Sequence, residues 1–156
     1  MPSKPEARVQ ELHLTLPNPP KPVAKYKTAV QVGNMLYVSG HGPLKPDGKM
    51  IVGRVGADLT AEQGKDAART VGLAILATVR NTIGSLDKVK RLVKTLGMVN
   101  STADFKDHPQ VINGFSELMA EVFGEDDGVG ARSAVGTNAL PSGIAVEIEC
   151  IFEVND

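Results

Sequence analysis

Arg132, in the stretch "GARSAVG", and Glu147, in "VEIECIFEV", are the two side chains whose types and spacing suit acid–base chemistry on a small anion. A guanidinium stays charged when partly buried, and its planar fork of donors meets a carboxylate with two parallel hydrogen bonds. Ala131, Ser133, Ala134 and Gly136 are small enough to leave space for a ligand beside Arg132. The same pattern also suits an arginine on a solvated strand face or in an ion pair between subunits. Around Glu147, Val146, Ile148, Cys150 and Phe152 share one strand face, and Glu147, Glu149, Ile151 and Glu153 share the other. Any half-exposed strand alternates in this way. Glu147 becomes chemical only if a neighbouring subunit covers its face, because a carboxylate in a closed cleft can hold a water and act as acid or base near neutral pH.

Other polar residues are weaker candidates. Tyr26 and Ser39 flank a first hairpin, where an amphipathic core-edge tyrosine and a turn-forming serine before Gly40 are the plain alternatives. His13, His41 and His108 lie far apart with no metal-ligand spacing around them, so no metal is expected. "GPLKPDGKM" has the wrong spacing and the wrong final residue for a phosphate-binding loop. Asn100-Ser101-Thr102 matches a glycosylation sequon, which has no use in a cytoplasmic protein. Cys150 alternates with core residues and reads as a buried structural thiol.

The elements that must position these residues follow from the patterning. The chain of 156 residues is long enough for one domain with a real core. Its formal net charge is −1, and it lacks a basic tract with interleaved aromatics, so nucleic acid is not an expected partner. One cysteine, no secretory signal and no membrane-length apolar run point to a cytoplasmic protein without membrane association. Alternating apolar residues on either side of Gly33-Asn34 predict strands over 28–32 and 35–39 joined by a tight turn. A proline- and glycine-rich loop follows, then "IVGRVG" as a short or irregular strand. Thr60 and Gln63 form a capping-box pattern ahead of an apolar stripe, predicting a helix over 61–83 that stops at Gly84. "VKRLVKTLGMVN" predicts a strand. Asp107 as cap and Pro109 in the first turn predict a second helix ending at Gly124. Strands "ARSAVG" and "IAVEIECIFEV" close the chain. This order reads as α+β, a mixed sheet with both helices on one face. An apolar opposite face would need cover, so a homo-oligomer is expected. Residues 1–20 form an extension with a proline-rich, extended end, followed by a single domain over 21–156.

"YKTAVQVGNMLYVSGHGPL", "VNSTADF", "INGFSEL" and the C-terminal "ARS" followed by "LP" and "VEIE" resemble the Rid proteins, the YjgF family also labelled L-PSP endoribonucleases, over about residues 22–153. The resemblance implies a chorismate-mutase-like fold assembled as a homotrimer with clefts between subunits. It also implies cofactor-free hydrolysis of small enamine and imine acids, such as 2-aminoacrylate and 2-iminopropanoate, to 2-keto acids and ammonia. By similarity, Arg132 grips the substrate carboxylate and Glu147 stands near the attacking water, while Tyr26, Ser39, Gly40 and Asn113 line the cleft. The alternatives are a trimer that binds a small metabolite without turning it over, and an endoribonuclease. The chain departs from the deaminase pattern in several places. Ala134 stands where many members have a cysteine, and His41 where a glutamine is common. "GEDDGVGARS" replaces a short "PARS", and residues 1–20 are additional, so the resemblance is to a longer-chain branch.

Overall fold

The computed structural model describes residues 3–155. Three helices and five strands run in the order α1 (Pro5–Glu11), β1 (Ala29–Val32), β2 (Met35–His41), α2 (Ala61–Ile83), β3 (Val89–Asn100), α3 (His108–Phe123), β4 (Ala131–Thr137) and β5 (Val146–Val154). The strands form one sheet in the order β1-β2-β5-β3-β4, in which only β3 and β4 run parallel. A parallel neighbour requires a crossover, and α3 supplies it.

Local chemistry accounts for most of these boundaries. Gly33 takes a φ of 60°, which lets the chain reverse between β1 and β2. Thr60 Oγ1 accepts from the Gln63 N–H at 3.1 Å, and the Gln63 amide oxygen accepts from the Thr60 N–H at 2.8 Å, completing the capping box of α2. Gly84 ends that helix in the left-handed region with a φ of 93°. Asp107 occupies the cap position of α3, but its side chain makes no capping bond, contrary to the sequence expectation. Its backbone, at φ −100° and ψ 37°, departs from the extended geometry that aims a cap oxygen at the first turn. Pro109 has no N–H to satisfy there, which lowers the need for a cap. "IVGRVG" forms only isolated bridges, Val52 with Ile144 and Val55 with Leu59 and Ser101.

Both long helices pack on one sheet face. Ala68, Val71, Ile75 and Val79 of α2 and Val111, Ile112, Phe115, Leu118 and Met119 of α3 meet Leu36, Val38, Ile148, Cys150 and Phe152 of the sheet, all buried. Where α3 crosses the sheet, Gly97 lies under Ile112, and an added methyl there would sit 2.6 Å from the isoleucine Cδ1. Removing the bulk at that point lets α3 lie flat on β3. Burial raises the Cys150 thiol pKa well above its usual range, so this residue packs as an apolar group.

Residues 3–16 fold back onto the helical layer. Val9 of α1 is buried, Leu12, Leu14 and Leu16 pack against the core, and residues 14–22 form no regular element. Glu6 anchors the segment. Its carboxylate accepts from Arg80 Nη2 at 2.6 Å and Nε at 3.1 Å, and from the Leu86 N–H at 2.8 Å. Among the described residues, no layer covers the sheet's opposite face. Val30, Val32, Tyr37 and Val135 stand exposed on it beside the Glu147 row.

The Arg80 hydrogen bonds, opposed in part by burial, hold the Glu6 carboxyl below its ordinary 4.5. A depressed carboxylate adds stability that is complete above the unfolded-state value and is lost as pH falls through the folded one. Glu6→Gln is therefore expected to lower unfolding free energy by about 1 kcal/mol at pH 7. The difference from wild type should shrink below pH 4.5, as urea unfolding at both pH values would show.

Candidate functional site

Arg132 is the second residue of β4, one of the sheet's two edge strands, and its register partner on β3 is Thr95. Its side chain turns to the helical face, where Nη1 donates to Asn113 Oδ1 at 2.8 Å and to Ser116 Oγ at 3.2 Å. Asn113 and Ser116 are three apart on α3 and so share one helix face. Both acceptors are neutral. Among the described residues no carboxylate lies within ion-pair distance of Arg132, so its charge is not cancelled within the chain. The guanidinium borders a cavity of about 220 Å³ lined also by Thr95, Asn113, Ser116, Val129 and Leu92. Thr95 is buried, a polar group set among the apolar residues of β3. A wider groove of about 410 Å³ lies nearby along Glu117, Glu121 and Glu125. Its acidic lining repels carboxylates, and two of those glutamates already pair with Lys65 and Arg69.

Glu147 occupies the opposite face. It pairs with Met98 on β3, between buried Val146 and Ile148, and so points away from the helices. Its carboxylate rests against Gly40, where an added methyl would collide with Oε2. Gly40 sits in a break in the β2–β5 register between Val38 and His41, and this bulge brings bare backbone to the carboxylate. Among the described residues Glu147 accepts no hydrogen bond. Burial, with the Glu149 carboxylate adding to it, pushes its pKa above the usual carboxylate value.

The bulge is held from behind. Ser39 Oγ donates to the Lys27 carbonyl at 2.5 Å. His41 is buried and points into the helical layer, with Nδ1 2.6 Å from the Ser39 carbonyl and Nε2 2.8 Å from Thr78 Oγ1. A carbonyl only accepts, so Nδ1 carries the proton and Nε2 accepts from the threonine hydroxyl. Burial lowers the His41 pKa, which keeps this ring neutral. His41 therefore braces the bulge rather than lining the open face. Ala134 likewise packs against the core.

The fold thus brings Arg132 to Asn113 and Glu147 to Gly40, but it places these two pairs on opposite faces of the sheet. Tyr26 precedes β1 and stands exposed. Asn100 of the sequon is buried, and its amide donates to the Ile144 carbonyl, so it is not available for glycosylation. Sequence reasoning missed Ser116 and Thr95. The first was legible as the residue three beyond Asn113 on the same helical stripe, whereas the second follows Lys94 in a strand that also carries Lys90 and Arg91, and nothing in the sequence singles it out.

The comparisons with known proteins agree with this architecture. Residues 6–146 match the family described as "YjgF/chorismate mutase-like, putative endoribonuclease". The chain belongs to the Rid/YjgF family. Protein TCP17 of Trypanosoma cruzi is 40% identical over 96% of this chain and 94% of its own. The solved structure of Atu1372 from Agrobacterium tumefaciens superposes with a TM-score of 0.88 at 40% identity, covering 97% of this chain and 94% of that one. A protein of Dermatophagoides farinae named 2-iminobutanoate/2-iminopropanoate deaminase is 30% identical over 90% of this chain and 94% of its own. This Rid/YjgF chain thus has the mixed, chorismate-mutase-like sheet that its sequence resemblance implied. No described helix is long and apolar enough to cross a membrane.

A carboxylate whose folded pKa is raised favours folding below its unfolded-state value of 4.5 and loses that contribution as pH rises through the folded one. Glu147→Gln is therefore expected to raise the melting temperature at pH 7, with the gain disappearing below pH 4.5. Thermal scans of both proteins across that range would check it.

Proposed function

We propose that this protein hydrolyses small enamine and imine acids of the 2-aminoacrylate and 2-iminopropanoate type to 2-keto acids and ammonia, without a cofactor, in clefts between the subunits of a homotrimer. The observation that carries this reading is the pairing of two incomplete half-sites. Arg132 offers an uncancelled guanidinium beside a small cavity, and Glu147 offers a carboxylate of raised pKa on an uncovered face. One chain cannot bring them to a single ligand, whereas a second copy whose β4 edge meets the open face would bring its Arg132 to this Glu147. The deaminase name of the 30% identical relative supports the same chemistry.

Substrate enters as a carboxylate gripped by the Arg132 fork, with Asn113 holding the guanidinium in place. The imine carbon is already electrophilic, so the protein need only fix the substrate, place a water and move protons. Glu147 takes a proton from the water as its oxygen bonds to that carbon. In the neutral carbinolamine formed from the protonated imine, the nitrogen takes the proton back from Glu147 and leaves as ammonia, while the hydroxyl gives its proton to the same carboxylate as the carbonyl forms. Gly40 lies against the Glu147 carboxylate, and the family resemblance assigns Ser39 and Tyr26 to the same side of the cleft. A carboxyl with a raised pKa suits both halves of this exchange near neutral pH.

The family description also carries the word endoribonuclease. A net charge of −1 and only six aromatic residues from Phe and Tyr supply neither the electrostatic funnel nor the stacking platform that single-stranded RNA requires.

The test is semicarbazide trapping of 2-aminoacrylate generated by a serine dehydratase. Wild-type protein should cut semicarbazone formation, and Arg132→Ala should lower kcat/KM by roughly a hundredfold or more. Full activity in Arg132→Ala would refute the assignment. Tight binding of a keto acid without ammonia release would instead favour a non-catalytic metabolite-binding role.

A further inference from the structure

We propose a second ligand site, separate from the Arg132 cavity, at the carboxyl ends of the parallel strands β3 and β4, which takes a small monocarboxylate. A cavity of about 310 Å³ opens there between the end of β3, the end of β4 and the start of α3. The ends of parallel strands, beyond their last ladder bonds, are where open α/β sheets place ligands.

Three side chains converge on this space. Ser101 Oγ, on a buried residue, lies 3.1 Å from His108 Nε2, and the Phe105 ring meets the His108 ring edge-on at 5.3 Å between centroids. The pair sits directly over Gly136. A methyl there would collide with His108 Nε2 and come within 2.8 Å of Ser101 Oγ. A glycine inside a strand weakens it, and here the missing side chain makes room for the serine–histidine pair. Arg54 closes the other side. Its guanidinium donates to the Asn138 carbonyl at the exit of β4, while its own N–H is held by the Asp58 carboxylate at 2.8 Å. Like Arg132, Arg54 has no carboxylate within ion-pair distance of its guanidinium among the described residues, and one carbonyl leaves most of its five donors free.

The ligand class follows from the charge count. Among the described residues Arg54 is the one arginine or lysine lining the cavity, and Asp58 stands at its backbone. A single negative charge on a planar carboxylate matches the fork, whereas a doubly charged phosphate would leave one charge uncompensated near Asp58. The Ser101–His108 pair can both donate and accept, so an oxygen on the neighbouring carbon of the ligand would find a partner.

The experiment is an NMR titration of the histidine ring signals with glycolate at fixed pH and fixed ionic strength, His108 being assigned by its loss in His108→Gln. The His108 signals should move along a saturable curve at concentrations up to roughly a hundred millimolar, and those of His13 and His41 should not. Arg54→Gln should weaken binding by roughly tenfold or more. Gly136→Ala, which needs no unusual backbone geometry, should abolish the shift while the melting temperature shows the protein still folded. It decides the matter if Arg54→Gln does not fold. The glycolate-dependent shift of the His108 signals should keep its wild-type midpoint in Arg132→Ala, which removes only the carboxylate site at the other cavity. A drift that never saturates, saturation that survives both Arg54→Gln and Gly136→Ala, loss of the His108 shift in Arg132→Ala, or tighter saturation by inorganic phosphate would each overturn the proposal.

Discussion

Side chains alternate across a β-strand, and in this protein that constraint separates the two groups best suited to catalysis. Thr95 and Arg132 share the helical face of the sheet, and Met98 and Glu147 share the open one. No rotamer change carries either group through a hydrogen-bonded sheet. Everything proposed about the cleft depends on this separation. A chain whose cation and carboxylate face opposite ways must either use them independently or rely on a second chain to bring them together. The uncovered face, with Val30, Val32, Tyr37 and Val135 exposed on it, is the surface such a partner would bury.

The helical layer fixes Arg132 from one side only. Asn113 and Ser116 hold its Nη1 with neutral acceptors, which orient the fork without cancelling its charge. A carboxylate in their place would have neutralised that charge. The opposite half-site is built on the same economy of contact. His41 braces the bulge from the helical side and Ser39 ties it to the Lys27 carbonyl, so Gly40 presents bare backbone to Glu147, which accepts no hydrogen bond among the described residues. The result is two rigid supports, each holding one reactive group that has no charged partner of its own.

Much of this was legible in the sequence. Helix α2 announces itself by the Thr60–Gln63 box and its apolar stripe, and β5 by strict alternation, so the face of Glu147 could be read directly. The face of Arg132 could not. "ARSAVGT" has small residues on both sides, and alternation labels the two faces of one strand without relating them to those of another. That relation depends on strand order and on the parallel pairing of β3 with β4, which are tertiary facts. Helix α1 escaped notice because seven residues are too few for a periodic stripe, and it is held by Glu6 reaching distant Arg80 and Leu86 rather than by local capping. His41 was legible as a residue but not as a brace, since its partner Thr78 lies across the core on α2.

The central claim is that Arg132 of one copy and Glu147 of another serve the same ligand. Co-assembling equal amounts of Arg132→Ala and Glu147→Gln chains, each inactive alone in the 2-aminoacrylate assay, tests it most directly. Random mixing leaves both native residues in about a quarter of shared clefts, and that fraction of wild-type activity should return. If the mixture stays as inactive as its components although the chains have exchanged, the two residues do not meet across an interface and the shared cleft is wrong.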